Sequence, residues 1–242
     1  MSSAHSEISI LQKEIRSDLL AIASEKRKQS TCKFFKHEIK CHGVSNPDTQ
    51  KIGRKYISFL KGKKKEFVWS LCEELFKGEF LEESLLACQI SYSLKKQFEH
   101  SDFKTFERWV LLYINNWAEC DTFCNKVIGE MLLKFPKLVA LVKNWSLSKN
   151  LWVRRASAVS FIYPAKKNTY VEDQFEIALV LLEDQEDMVQ KGYGWMLKVL
   201  SQVRHTAVFD FVMTYKSRMP RTALRYSIEK MDEPFRARAM LK

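Results

Sequence analysis

Short amphipathic segments follow one another along almost the whole chain, and this rhythm constrains the fold more than any other feature. Apolar residues three and four positions apart recur over segments of about 10 to 15 residues, which is the period of a helix with one buried face. The 242 residues include only seven glycines and five prolines. Four of the prolines fall at segment starts, where a missing N–H is harmless: Pro47, Pro136, Pro220 and Pro234. The pattern predicts an all-α protein.

The breaks between these segments are short, which favours stacked helical hairpins. Hairpins that repeat about every 40 residues build an α-solenoid, an α-α superhelix with a concave surface. Sequence similarity between the repeats is weak, so the prediction rests on helix spacing alone. We expect one domain over residues 1–242, beginning with a partly flexible N-terminal helix within residues 1–30.

The net charge of +11 is distributed unevenly. Residues 1–65 carry 15 basic and 6 acidic side chains, residues 191–242 carry 11 and 4, and the middle carries 14 and 19. If the two ends flank the middle, they form basic walls around a groove, and such walls bind a phosphate backbone by releasing its counterions. A single run such as Lys63–Lys65 is more simply a solvated face. The distribution as a whole favours a nucleic-acid duplex as partner.

No segment indicates export or membrane insertion. The first nine residues are polar and include Glu7, and no run approaches the roughly 18 apolar residues of a membrane span. We therefore expect a soluble cytoplasmic protein without a membrane partner, which associates with the nucleoid when it is bound to DNA. Its six cysteines are expected to be reduced.

One cluster has the residue types of a metal site. Cys32, His37, Cys41 and His42 are close in sequence, but zinc ligands usually come as two close pairs, and this spacing fits no such pattern. Ordinary loop and helix-edge residues are the simpler interpretation. We expect no metal and no other cofactor.

Aromatic and charged residues recur at repeat-sized intervals in the middle of the chain. Trp117 and Asp121 are four residues apart and so share one face of a helix. Asp121 precedes Arg155 by 34 residues, and Arg155 precedes Trp195 by 40. In a solenoid of helical pairs, equivalent positions one repeat apart line the same concave surface. We therefore expect a carboxylate, an arginine and tryptophans to face one basic groove.

Five segments of the chain together resemble a known family. They are Gly43–Pro47, Trp117–Asp121, Trp152–Ser157, Gln190–Trp195 and Met219–Tyr226. In order and spacing they are similar to the signature segments of the AlkD-like DNA alkylation repair glycosylases, from about Phe34 to Arg225. The resemblance implies a solenoid of HEAT-like repeats that wraps duplex DNA in its concave face.

The resemblance also implies an enzymatic activity. Members of this family hydrolyse the N-glycosidic bond of cationic alkylated purines such as 3-methyladenine and 7-methylguanine, the first step of base excision repair, without flipping the base. Two tryptophans and an aspartate of the family contact the deoxyribose, and they match Trp117, Trp195 and Asp121. These three are the candidate catalytic residues of a monofunctional alkylpurine DNA glycosylase.

Basic residues near these positions are candidate DNA contacts. The arginine that grips the DNA backbone in the family matches Arg155, and a second basic residue matches Lys198. Arg154 and Lys191 are further candidates. Because adjacent helical residues point about 100° apart, we expect one of the two arginines to face DNA and the other to face solvent.

The proposed chemistry also follows from the residue types. A purine methylated on a ring nitrogen is already a cationic leaving group, so no strong general acid is needed. The sugar then develops oxocarbenium character, as in glycoside hydrolysis. A carboxylate such as that of Asp121 can stabilise this charge and orient the attacking water, while tryptophan rings add cation–π stabilisation.

Each of these residues also has a purely structural interpretation. Asp121 alone is compatible with a helix cap or an ion pair, and Glu119 lies on a different helix face, which makes it the less suitable carboxylate. Cys120 and Cys124 are expected to be small buried fillers. A tryptophan at helical spacing more often belongs to the core, and we assign four to it: Trp69, Trp109, Trp145 and Trp152.

Three functions stay open at this point. The first is a glycosylase that acts as a monomer on alkylated double-stranded DNA. The second is a non-catalytic DNA-binding relative that recognises altered duplex, and only activity separates it from the first. The third is a protein-binding α-solenoid, for which DNA affinity would be absent or independent of salt.

Overall fold

The computed structural model describes residues 2–241, with side chains from residue 5 onward. Met1 and Lys242, which the predicted domain includes, lie outside the described residues. The chain divides into two compact units, the first ending at Phe123 and the second beginning at Cys124. The organisation as a single domain therefore stays a prediction, and each unit is described by itself.

The first unit consists of seven α-helices within its described residues and a short 3-10 turn at Lys95–Gln97. The helices are α1 (Ser2–Leu20), α2 (Glu25–Cys32), α3 (Asn46–Phe59), α4 (Lys65–Lys77), α5 (Leu81–Ser93), α6 (Asp102–Leu112) and α7 (Trp117–Phe123). In this unit α5 packs against α3, α4 and α7, while α1 packs against α4. Residues 40 and 80 form an isolated parallel bridge.

An aromatic cluster forms the centre of the first unit. Trp69 contacts Phe106 edge-on, with ring centroids 5.2 Å apart, and Trp109 is fully buried beside both. The indole N–H of Trp69 donates to Asp102 Oδ1 at 3.0 Å, so this buried polar group has a partner. Because aromatic side chains bury large apolar areas, this cluster stabilises the helices of the first unit that position α7.

The second unit begins with a π-helical segment, Cys124–Ile128, and includes 3-10 turns at Pro136–Leu138 and Trp145–Leu147. Its α-helices are α8 (Gly129–Lys134), α9 (Val139–Asn144), α10 (Leu151–Val159), α11 (Ile162–Lys166), α12 (Val171–Val180), α13 (Asp187–Leu200), α14 (His205–Tyr215), α15 (Arg221–Ile228) and α16 (Glu233–Met240). The helix α13 is central and packs against α10, α11 and α15.

The regular elements of the described residues are all helical, without a strand, which confirms the all-α class of helical-repeat proteins. The four tryptophans assigned to the core are all buried, and so are Cys120 and Cys124. One predicted element is wrong. The region 1–30 holds two helices, because α1 ends at Leu20 and the N–H of Ser24, the residue before α2, donates to the carbonyl of Gly43 at 3.1 Å.

A buried carboxylate ties α1 to α5 in the first unit. Glu83 is fully buried and accepts two hydrogen bonds from the Arg16 guanidinium, at 2.7 and 2.9 Å, while His42 Nε2 lies 2.8 Å from it. Burial by itself would raise the pKa of Glu83, but hydrogen bonds from His42 and Arg16 outweigh it and hold the pKa below its ordinary value. The carboxylate is therefore charged and fully paired.

Candidate functional site

Helix α7 carries two of the predicted catalytic residues. Trp117 is its first residue and Asp121 follows one turn later, so both side chains lie on the same face. Both are half-buried, whereas Cys120 and Phe123 of the same helix are fully buried in the core. The prediction that Trp117 and Asp121 share one face of a helix is confirmed, and their catalytic role stays a prediction.

The ring of Trp117 stacks on Phe35. The two ring centroids are 5.2 Å apart, and the planes are inclined by only 20°. Phe35 belongs to the segment between α2 and α3 and is itself half-buried. A stacked partner of this kind limits the rotation of the indole, so Phe35 sets the orientation of one candidate catalytic residue.

The second carboxylate of this helix, Glu119, has a structural role. The N–H of Glu119 donates to Asn116 Oδ1 at 3.0 Å, and the N–H of Asn115 donates to the Glu119 carboxylate at 3.4 Å. This arrangement resembles a capping box, which satisfies N–H groups at the start of a helix. Burial raises the pKa of Glu119 to about 7, although Ser84, Asn115 and Asn116 donate to it. Glu119 is only 2% exposed, which leaves Asp121 as the accessible carboxylate of α7.

In the second unit, Arg154 of α10 is held by the protein itself. Its Nε lies 2.6 Å from Asp184 Oδ2, and its Nη1 donates to the carbonyls of Ser148 and Lys149 at 2.9 and 3.0 Å. The guanidinium thus joins α10 to the loop before it and to the loop after α12. Three such bonds indicate a structural arginine.

Its neighbour Arg155 lies beneath α13. The side chain is 5% exposed, and Nη1 donates to the carbonyl of Met188 in the first turn of α13. Gly192 makes room for it, because a Cβ there would lie 3.1 Å from Arg155 Cγ. The expectation that one of the two arginines faces solvent is wrong, because Arg155 is buried against α13 and Arg154 is held by Asp184 and by the loop before α10. The role of Arg155 as a DNA contact stays a prediction.

Helix α13 presents a basic face with a tryptophan at its middle. Lys191, Trp195 and Lys198 are spaced four and three residues apart, and all three are half-buried. Lys191 Nζ lies 2.9 Å from Asp187 Oδ2, one turn earlier. Lys198 Nζ lies 3.0 Å from a Glu229 carboxylate oxygen and 5.3 Å from the centre of the Tyr226 ring. Both ammonium groups are therefore oriented by neighbours beside Trp195.

The predicted site residues thus form two groups. Trp117 and Asp121 belong to the first unit, and the remaining five lie on α10 and α13 of the second: Arg154, Arg155, Lys191, Trp195 and Lys198. Sequence reasoning missed Phe35 and Tyr226, because ring contacts between distant segments leave no local pattern. The capping role of Glu119 had a local signal, an Asn three residues before a Glu.

The cysteine and histidine cluster has other uses in the structure. Cys32 Sγ lies 3.7 Å from Cys41 Sγ, and burial raises the pKa of Cys41 to about 12. His42 points to Glu83 and stacks on Phe80 at 4.2 Å. Within the described residues, no three side chains of His, Cys, Asp or Glu are grouped so as to hold a metal ion. None of the described helices has the length and apolar character needed to span a membrane.

Comparison with known proteins adds an independent observation. A family model described as DNA alkylation repair enzyme matches residues 15–231, which is most of the chain. No curated protein matches the sequence significantly. Among solved structures, the fold is similar to a predicted DNA alkylation repair enzyme from Enterococcus faecalis, with a TM-score of 0.78 and 16% identity over 87% of this chain and 97% of that one. At this identity the likeness shows a shared fold.

Proposed function

This chain belongs to the DNA alkylation repair enzyme family, and we propose that it is a monofunctional DNA glycosylase. Its substrates would be cationic alkylated purines in duplex DNA, such as 3-methyladenine and 7-methylguanine. The observation that carries the proposal is the arrangement on α7, where the half-buried Asp121 and Trp117 share one face while Glu119 is buried as a cap. An accessible carboxylate beside an aromatic ring is what a developing sugar cation requires.

In the proposed reaction the bond between C1′ of the deoxyribose and the purine nitrogen breaks. The purine takes the bonding electrons, which neutralises its positive charge, so it leaves without protonation. Asp121 stabilises the positive charge that develops on the sugar and orients the water that attacks C1′. The oxygen of this water forms the new bond, and the carboxylate accepts its proton.

The two tryptophans have the same task in this proposal. Trp117 and Trp195 pack their rings against the deoxyribose, where cation–π attraction stabilises the transition state by about 1 kcal/mol or more in a desolvated site. Phe35 supports the orientation of Trp117 through the stack between their rings. Contacts to the sugar rather than to the base require no pocket for a flipped base, so bulky cationic adducts are acceptable substrates and neutral lesions are poor ones.

The basic residues of the second unit are assigned to the phosphate backbone. Lys191 and Lys198 flank Trp195 on one face of α13, and their ion pairs with Asp187 and Glu229 are replaceable by phosphate contacts. Arg155 completes this set, and Arg154 supports it from the adjacent position through its bonds to Asp184 and the loop before α10. No amine nucleophile is assigned, which agrees with a hydrolase rather than a lyase.

The decisive experiment measures release of free 3-methyladenine and 7-methylguanine from methylated duplex DNA. We expect release by the wild type and a loss of at least about 100-fold in the single-turnover rate for Asp121→Asn. Glu119→Gln is the matched control on the same helix, and it should keep a rate near that of the wild type. Uracil in the same duplex should stay in place.

Other outcomes select the alternative functions. If neither protein releases base but both bind the duplex in a salt-dependent manner, the chain is a DNA-binding protein that recognises altered duplex and not a glycosylase. Absence of DNA binding would favour a protein-binding role. Equal losses for Asp121→Asn and Glu119→Gln would remove the assignment of Asp121.

A further inference from the structure

Helix α2 contributes nothing to the hydrophobic core. None of its eight residues is buried, and its sequence Glu-Lys-Arg-Lys-Gln-Ser-Thr-Cys is polar apart from the last position. A helix that is polar on every side is not stabilised by burial of an apolar face, so another interaction must keep it in place.

That interaction is a close backbone contact with Gly43. The N–H of Ser24 donates to the Gly43 carbonyl at 3.1 Å, just before α2 begins. Gly43 has φ +88°, and a Cβ there would lie 2.4 Å from the Ser24 carbonyl oxygen and 2.8 Å from Lys28 Cβ. Only glycine fits this position, both because of the positive φ and because α2 approaches so closely.

Gly43 is itself held by a buried carboxylate. The N–H groups of His42, Gly43 and Val44 donate to the two oxygens of Glu82 at 2.9, 2.9 and 3.0 Å. Glu82 is 2% exposed and lies in the first turn of α5. Three charge-assisted hydrogen bonds make this turn a firm support for α2.

The side of α2 that faces away from this support is basic. Lys28 packs at Gly43, and at about 100° per residue Lys26 lies on the opposite side of the helix, with Arg27 at its edge. Lys33, which caps the C-terminus of α2 in a helical conformation, lies on that opposite side as well. All three are exposed and, among the described residues, have no carboxylate partner.

Seven other basic residues of the first unit are engaged in ion pairs. These pairs are Arg16–Glu83, Lys40–Glu79, Lys55–Asp18, Lys63–Glu7, Lys65–Asp102, Lys77–Glu74 and Arg108–Glu73. On the outer side of α2, by contrast, three exposed cations without a carboxylate partner among the described residues lie close together in sequence. Such a surface fits a polyanion.

The position of α2 connects this surface to the candidate site. The helix ends at Cys32, and Phe35 follows three residues later, a distance of at most about 10 Å along the chain. Phe35 stacks on Trp117, within the same unit. The outer side of α2 therefore lies a few nucleotides away from any deoxyribose held at Trp117.

We propose that the outer side of α2, formed by Lys26, Arg27 and Lys33, contacts the phosphate backbone of duplex DNA. Its location beside the nucleotide held at Trp117 and Asp121 rests on the proposed function. Lys26 and Lys33 are about 10 Å apart along the helix, which corresponds to the axial rise of about three nucleotides of one strand. The contact adds affinity without reading the sequence.

The test is the salt dependence of binding to an unmodified duplex. The triple variant K26Q/R27Q/K33Q should lower the slope of log affinity against log salt concentration by about 2 to 3, since each phosphate contact contributes about 0.9. Its affinity should fall at least about tenfold at low salt. Its thermal midpoint should match the wild type, because the changed side chains are exposed.

The control variant K61Q/K64Q/K104Q removes the same charge from exposed positions elsewhere in the first unit. It should keep a slope within about one of the wild type. An equal decrease in both variants would reduce the effect to net charge and overturn the proposal. A wild-type slope in the α2 variant would also overturn it.

Base release separates this inference from the proposed function. At saturating protein the α2 variant should release methylated purines at the wild-type rate. If the slope of duplex binding depends on α2 but the wild type releases no base, only the glycosylase proposal is overturned. Release by the wild type with no change of slope in the α2 variant would remove only the α2 contact, and absence of DNA binding would remove both.

Discussion

Helices α7 and α10 each carry two charged residues close in sequence, carboxylates in α7 and arginines in α10, but they bury them differently. In α7 the two carboxylates divide their tasks, because Glu119 is buried as a cap and Asp121 stays half-buried on the face of Trp117. In α10 the two adjacent arginines are both engaged, Arg154 by Asp184 and Arg155 by the first turn of α13. The type and spacing of charged residues therefore indicate a candidate region, and burial decides which of its side chains is accessible.

The largest effect on stability is expected from Arg154→Ala. It leaves Asp184 largely buried without its partner, which should lower the free energy of unfolding by about 2 to 3 kcal/mol. Urea unfolding measures this, and an Asp184→Ala change in the same chain should recover part of the loss. If the variant is as stable as the wild type but binds DNA more weakly, Arg154 is a DNA contact and not a structural residue. The contrast between α7 and α10 would then be wrong.

The pH dependence of stability should identify Glu119 as the structural carboxylate. Its pKa is about 7 in the folded protein and about 4.5 when exposed, so the folded state holds the proton more tightly. The contribution is complete below pH 4.5 and is lost as the pH rises through about 7, by roughly 3 kcal/mol.

The Glu119→Gln variant lacks this titration. Over the same pH interval, unfolding by urea should show a smaller decrease in stability for Glu119→Gln than for the wild type. Groups shared by both proteins cancel in the difference. If stability falls equally with pH in both proteins, the pKa of Glu119 is no higher than that of an exposed carboxylate. Glu119 would then not be the buried structural carboxylate of α7.

A smaller effect is expected from Phe35→Ala. Loss of the stack on Trp117 should destabilise the first unit by about 1 kcal/mol and slow base release a few-fold, because the indole is less constrained. Phe35→Tyr keeps the ring and should restore both properties. Full activity of Phe35→Ala would show that Trp117 is oriented by α7 alone.

The smallest change in stability is expected from Lys191→Ala. Its ion pair with Asp187 is a partly exposed pair one turn apart, which contributes about 0.3 to 0.5 kcal/mol. Because Lys191 is proposed to contact a phosphate, its removal should also lower the slope of log DNA affinity against log salt concentration by about 1. A loss of stability near that of Arg154→Ala would place Lys191 among the structural residues.

Local patterns predicted most helices because each depends on nearby residues. Helix α4 (Lys65–Lys77) is an example, since its apolar positions repeat at helical spacing between clear breaks. The end of α1 was not predictable in this way. Its apolar period continues to Ile22, which is exposed, and the break is set by the contact of Ser24 with Gly43, which is distant in sequence.

The candidate site was likewise predictable only where it depends on residues close in sequence. The spacing of Trp117 and Asp121 fixes their common face, because both belong to one helix. Asp184, in the loop after α12, holds Arg154, and the Met188 carbonyl of α13 holds Arg155; no local pattern encodes these distant partners. The stack of Phe35 on Trp117 likewise depends on how distant segments meet.

The distribution of the six tryptophans gives the protein an optical probe. Trp69, Trp109, Trp145 and Trp152 are at most 7% exposed, so a collisional quencher reaches them poorly. Trp117 and Trp195 are half-buried and supply most of the quenchable emission. A ligand that covers these two indoles should therefore reduce the quenching of tryptophan fluorescence. Binding can then be followed without an attached label.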